Sequence, residues 1–197
     1  MGNKKQWANF SHFDYLCRMN ANKQIIRLGI ALFLITMLLF FLLIFLFSTR
    51  GSISEAQFFN YSALINCFAL PGIYAGMGFY SAFKVAKIRP ISFRQSWQLS
   101  FMPMFIGGFL SLAAIFIFFN TNGSWAEDSL QRGWYDLVMS NPNQDFMEKN
   151  GDFVKNMTDL KINMFTWKTF FLSFSVILFF YFLISSIFAV FFKNRHI

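Results

Sequence analysis

The sequence predicts an all-α membrane protein: a bundle of four transmembrane helices with a helical extracytoplasmic insert between the third and the fourth. Three observations carry that reading. Four apolar stretches, about residues 28–48, 56–83, 97–119 and 169–192, contain no Asp, Glu, Lys, Arg or His. Each reaches or exceeds the roughly 20 residues a helix needs to cross a bilayer. Composition agrees, because 13% charged residues against 56% hydrophobic ones, 31 of them Phe, leave too little polarity to cover a soluble globule, for which about a quarter charged is usual. Finally, the cations are distributed asymmetrically along the chain, as membrane insertion requires.

Residues 1–27 form a basic arm ahead of the first span. Trp7, Phe10, Phe13 and Leu16 or Cys17 recur at helical steps beside Lys4, Lys5 and Arg18, which predicts a short amphipathic helix at the cytoplasmic interface, anchoring in lipid or docking a partner. Met1-Gly2 does not open a myristoylation motif, since Gln6 stands where Ser or Thr is required.

The first span is the strongest. Over residues 28–47 every position is Leu, Ile or Phe except Gly29, Ala31, Thr36 and Met37, so its insertion free energy sums to about −5 kcal/mol or better. The run is longer than a signal-peptide core and lacks a small-x-small cleavage site, so it reads as an uncleaved signal anchor.

Span two is weaker, with Asn60, Ser62, Asn66, Pro71, Gly72, Gly76 and Gly78 in it. It should be buried among the others. Ser62, Asn66, Ala69, Gly72, Gly76 and Tyr80 follow at three- or four-residue steps and so share a helical face, and Gly72 with Gly76 makes a GxxxG pair. That face is the expected helix-packing surface, and Gly107, Gly108 and Ser111, with Ala113 and Ala114, are its expected counterpart on span three. Pro71 should kink or loosen span two by freeing carbonyls near Asn66 and Cys67. Span three has a helix start before it, where Ser92 and Gln95 make a capping box.

The insert, residues 120–168, is too long for a plain loop. Asn122-Gly123 turns the chain, Ser124 and Glu127 suggest a capping box, and Leu130, Trp134, Leu137 and Val138 give an apolar stripe, which predicts a helix to about Met139. A second helix should start at Pro142, and a third, from about Asp152, should run into span four. Trp125, Trp134, Tyr135 and Trp167 suit the interfacial aromatic belt.

Charge sets the expected orientation. Lys4, Lys5, Arg18, Lys23, Arg27, Lys84, Lys87, Arg89, Arg94, Lys193 and Arg195 all fall on one side of an alternating four-span chain. The positive-inside bias puts that side, and both termini, in the cytoplasm. The net charge of +8 then follows from topology. Cations clustered beside spans suit anionic lipid head groups, so the expected partner is the cytoplasmic bilayer surface and no nucleic acid.

With Ser92-Phe93-Arg94-Gln95-Ser96-Trp97 opening span three and Asp145-Phe146-Met147-Glu148-Lys149 in the insert before span four, the chain resembles the bacterial domain-of-unknown-function family number 4199. The likeness covers about residues 25–194. The family usually has Gly where Arg94 stands and begins nearer its first span, so the arm is a departure. The resemblance implies a small four-span protein of the bacterial cytoplasmic (inner) membrane with no established activity, and hints at a membrane-associated glycosyltransferase as partner.

Residues that carry chemistry are sparse. Only His12 and His196 exist, and Cys17 and Cys67 lie in the arm and in span two, so no metal, cofactor or disulfide is expected. Glu127, Asp128, Asp136, Asp145 and Glu148 could serve a membrane enzyme acting on a lipid-linked substrate, although acids at helix starts ordinarily compensate the helix dipole. The spans hold no ionisable pathway for a pump. The leading expectation is a non-enzymatic accessory or scaffold subunit with a membrane-protein partner or a second copy of itself. The alternative is a small transporter, channel or lipid-handling protein, oligomeric around the span-two face.

Overall fold

Long uninterrupted apolar sequence leaves the backbone no hydrogen-bonding option in hydrocarbon except its own helix. The computed structural model describes residues 4–50, 53–140 and 166–193, and the side chains of 21–47, 53–134, 136, 137 and 166–193. Its elements are α1 (Lys4–Arg50), α2 (Glu55–Leu64), a π-helical turn (Ile65–Ala69), α3 (Leu70–Ala86), α4 (Phe93–Thr121), α5 (Ser124–Ser140) and α6 (Trp167–Phe192). Among the described residues the only β pairing is an isolated bridge between Ile91 and Lys193. Four segments are long and apolar enough to span a bilayer: Ala21–Phe47, Glu55–Ala86, Phe93–Thr121 and Trp167–Phe192. The shortest has 26 residues, or about 39 Å of helix against a hydrocarbon core of about 30 Å. The all-helical, four-span reading holds.

Several ends are set by local chemistry. Ser54 caps α2 with Gln57 in a full capping box. At the start of α4, Ser92 N donates to Gln95 Oε1 and Gln95 N donates to Ser92 Oγ, both at 3.3 Å, as expected from the sequence. For α5 the cap sits one residue earlier than Ser124. Both Ala126 N and Glu127 N donate to Gly123 O, and a Cβ on Gly123 would come within 2.4 Å of the Phe118 ring. Thr166 is not helical, and its Oγ1 accepts from Thr169 N. Span four therefore has its own N-terminus and does not continue an insert helix. In contrast, the arm is no separate helix, because α1 runs unbroken from Lys4 into the first span. The helices expected from Pro142 and Asp152 lie outside the described residues.

The chain divides into two units. One comprises Met1–Ile35, Gly72–Leu110 and Val176–Ile197, the other Thr36–Pro71 and Ser111–Ser175. In the first, Ala82, Ala86, Ile91, Leu99 and Phe192 form a buried core, with Phe79, Phe83 and Phe188 packed against it. Two long-range bonds cross that unit, Gln24 Nε2 to Ser81 O at 3.3 Å and Ser96 Oγ to Phe188 O at 3.4 Å. Glycine sets how closely its helices approach. A Cβ on Gly107 would stand 2.6 Å from Leu32 Cβ, one on Gly29 would stand 2.8 Å from Ile106 Cβ, and one on Gly78 would meet Met104 and Ser100 O at 3.1 Å. Such contacts let backbones approach and gain dispersion where no hydrophobic effect operates.

In the second unit α5 lies along α2. Gly133 makes that possible, since a Cβ there would fall 2.1 Å from Glu55 O. Next to it the Arg132 guanidinium grips the Glu55 carboxylate, with Nε 2.9 Å from both oxygens and Nη2 2.9 Å from Oε1. The Phe47 ring stacks on Phe58 at 4.3 Å and parallel to Trp125 at 6.3 Å. Phe116 packs against Trp167 and Phe170. Large apolar residues are exposed in both units, including Leu38, Phe45 and Phe68 in the second and Ile187 and Val190 in the first, as suits surfaces facing lipid.

Candidate functional site

Span two carries the features that set this protein apart from a plain bundle, and they begin with Pro71. A proline ring removes an amide donor from the ladder, and just before it the helix widens to i→i+5 bonding, with Leu70 N donating to Ile65 O. A π turn accommodates one extra residue and shifts every following side chain by one position, about 100° around the axis. From the inward residues Ser62 and Ile65, unbroken α spacing would bring 69, 73, 76 and 80 to the same face. Instead the residues buried on α3 are Tyr74, Gly78, Ser81, Ala82 and Ala86, a face turned away from those positions.

The single packing face expected on span two is therefore divided. Ser62 and Asn66 border a cavity in the second unit, and Asn66 Nδ2 donates one hydrogen bond within its own helix, to Ser62 O at 2.8 Å. Ala69 is half-buried. Gly72 and Gly76 lie on the exposed side, with nothing within 4 Å of a Cβ built on either, and Tyr80 beyond them is 47% exposed. Among the described residues nothing packs on the GxxxG pair. The counterpart residues are used differently: Gly107 meets Leu32 and the Gly29 carbonyl, Gly108 meets the Tyr181 ring, and Ser111 is buried. Gly29 and Gly78 make close approaches that spacing within one span does not reveal.

The cavity has a volume of about 270 Å³ and lies wholly within the second unit. Its walls come from α1 (Leu39, Leu43), α2 with the π turn, and α4 (Leu112, Ile115), with Leu130 of α5 also on its border. The polar residues on it are Thr36, Ser62 and Asn66. A concave, mostly apolar surface with a few polar groups is the usual form of a small-ligand site.

Groups for bond-making chemistry are not gathered anywhere among the described residues. They contain no group of three or more His, Cys, Asp or Glu placed to hold a metal. Of the carboxylates singled out in the insert, Glu127 is buried at the start of α5 and Asp128 and Asp136 are exposed, while Asp145 and Glu148 lie outside the described residues. Cys67 is a free, exposed thiol. Ser81, Ser100 and Ser185, all in the first unit, are fully buried hydroxyls without a hydrogen-bond partner among the described residues. Helix α1 includes Lys4, Lys5, Trp7, Phe10, Phe13 and Arg18, whose side chains lie outside the described ones.

A family model described as protein of unknown function (DUF4199) matches residues 27–194. Among curated proteins and among solved structures, nothing matches the chain.

Proposed function

Since this chain belongs to the DUF4199 family, whose members carry no assigned activity, the reading must come from its surfaces, and we propose that it is a non-enzymatic accessory subunit of a membrane complex. In this reading it resides in a bacterial inner membrane with both termini in the cytoplasm, where its clustered cations meet anionic head groups. A transmembrane helix of a partner protein docks on the outward face of α3.

The supporting observation is that face itself. Gly72 and Gly76 stand one helical turn apart, with no described residue within 4 Å of a Cβ on either, in a span whose other glycine, Gly78, is filled by Met104. In lipid, a strip without side chains gains little from acyl chains and much from a second helix that can approach it closely. A membrane-bound glycosyltransferase is the partner that the family resemblance suggests.

Affinity purification of the full chain in mild detergent tests this. The wild type should bring down a membrane protein in stoichiometric amount, and Gly72→Leu with Gly76→Leu should lose it while the melting temperature stays within a few degrees. Repeated recovery of the chain alone, or of the same partner with both leucines in place, would refute the proposal.

A further inference from the structure

The cavity of the second unit is independent of the docking face, and we propose that it is a binding site for one linear hydrocarbon chain of a membrane lipid. Its wall is leucine, isoleucine and phenylalanine apart from Thr36, Ser62 and Asn66. Water is a poor occupant, because a held water needs two to four polar partners and only Thr36, Ser62 and Asn66 in the lining carry polar side chains, one Asn66 N–H being already given to Ser62 O. An empty space is also unfavourable, since atoms lining a void lose their dispersion partners.

Size selects the occupant. An apolar cavity of about 150 Å³ accepts benzene, so 270 Å³ has room for a stretch on the order of ten carbons. Most of the lining lies on segments that read as membrane-spanning, Ala21–Phe47, Glu55–Ala86 and Phe93–Thr121, where the medium supplying an occupant is itself hydrocarbon. The π turn contributes directly, because Ile65 and Asn66, two of its five residues, form part of the wall. A widened turn gives the wall a shape that regular α-helix would not.

The experiment uses the full chain in vesicles of phosphatidylethanolamine and phosphatidylglycerol. In one arm a small fraction of the phospholipid carries a diazirine in an acyl chain; in the other, an unesterified fatty acid carries it. After irradiation, adducts are mapped by mass spectrometry. Labelling per residue at Leu43, Ile65 and Ile115 should exceed that at the exposed Leu172 and Val176. It should fall about tenfold in Leu43→Trp, with the exposed positions unchanged. Ile115→Phe, a smaller filling, should fold where the tryptophan does not and should show the same selective fall. Enrichment in the phospholipid arm identifies a bilayer lipid as the source, and enrichment in the fatty-acid arm alone identifies the free acid. Equal labelling of cavity and exposed positions, or enrichment that survives both fillings in folded protein, would overturn the proposal.

Discussion

Tyr74 of α3 and Tyr181 of α6 stack with ring centroids 5.3 Å apart and planes inclined by only 7°. Both are buried, and each lies beside a glycine of α4: Gly107 next to the Tyr74 hydroxyl, Gly108 against the Tyr181 ring. Three helices meet at that point because one of them presents no side chain. An offset aromatic pair of this kind contributes about 0.5–1.5 kcal/mol beyond its burial.

Gly108→Val should therefore be costly. A Cβ there stands 2.9 Å from Tyr181 Cε2, so the ring must leave its stack, and overpacking of this kind costs about 1–3 kcal/mol. Thermal unfolding in detergent should show the loss, whereas Gly76→Val, with open space around it, should stay within about 0.5 kcal/mol of wild type. Equal melting temperatures for the two variants would contradict the stated packing.

The contact of α5 with α2 should depend more on Gly133 than on the ion pair beside it. Arg132 is 61% exposed and Glu55 29%, and exposed pairs contribute about 0–1 kcal/mol. Arg132→Ala should change stability by no more than that. Gly133→Leu would drive a side chain into the Glu55 carbonyl and should detach the helix, read as faster proteolysis within 124–140. A larger effect from the arginine variant would reverse this ranking.

Deleting Cys67 should be tolerated. Removal of one residue from a π turn restores α geometry and leaves the flanking faces where they were, and Cys67 is exposed and in no disulfide. Deleting Phe79 should instead rotate part of α3 by about 100° and expose its buried face. Size-exclusion profiles and melting curves of both deletions provide the comparison, and aggregation of the Cys67 deletion would show that the extra residue is not the origin of the shift.

Ser81→Ala, Ser100→Ala and Ser185→Ala should each be neutral or stabilising by up to about 1 kcal/mol, because a buried hydroxyl without a partner loses nothing on removal. A loss above 1 kcal/mol in any of them would reveal a hydrogen bond formed by that serine.

Reporter fusions after Ser140 and after Ile197 should report opposite compartments, the latter cytoplasmic, if Lys and Arg orient the four spans. The same compartment for both would exclude four alternating crossings.

Four spans, their approximate limits and the Ser92 cap were readable in one dimension, because bilayer thickness and capping act on neighbours in the chain. The face of span two that packs was not. Small residues at steps of three and four mark a face only while the helix keeps 3.6 residues per turn, and the π turn at Ile65–Ala69 resets that count, sending Gly72 and Gly76 outward and Tyr74 and Gly78 inward. Pro71 signalled a loosening, but not by how many residues. Likewise Arg132 found Glu55 across 77 positions, and Tyr74 found Tyr181. Pairings at that separation depend on which helices approach each other, and only folding in three dimensions decides that.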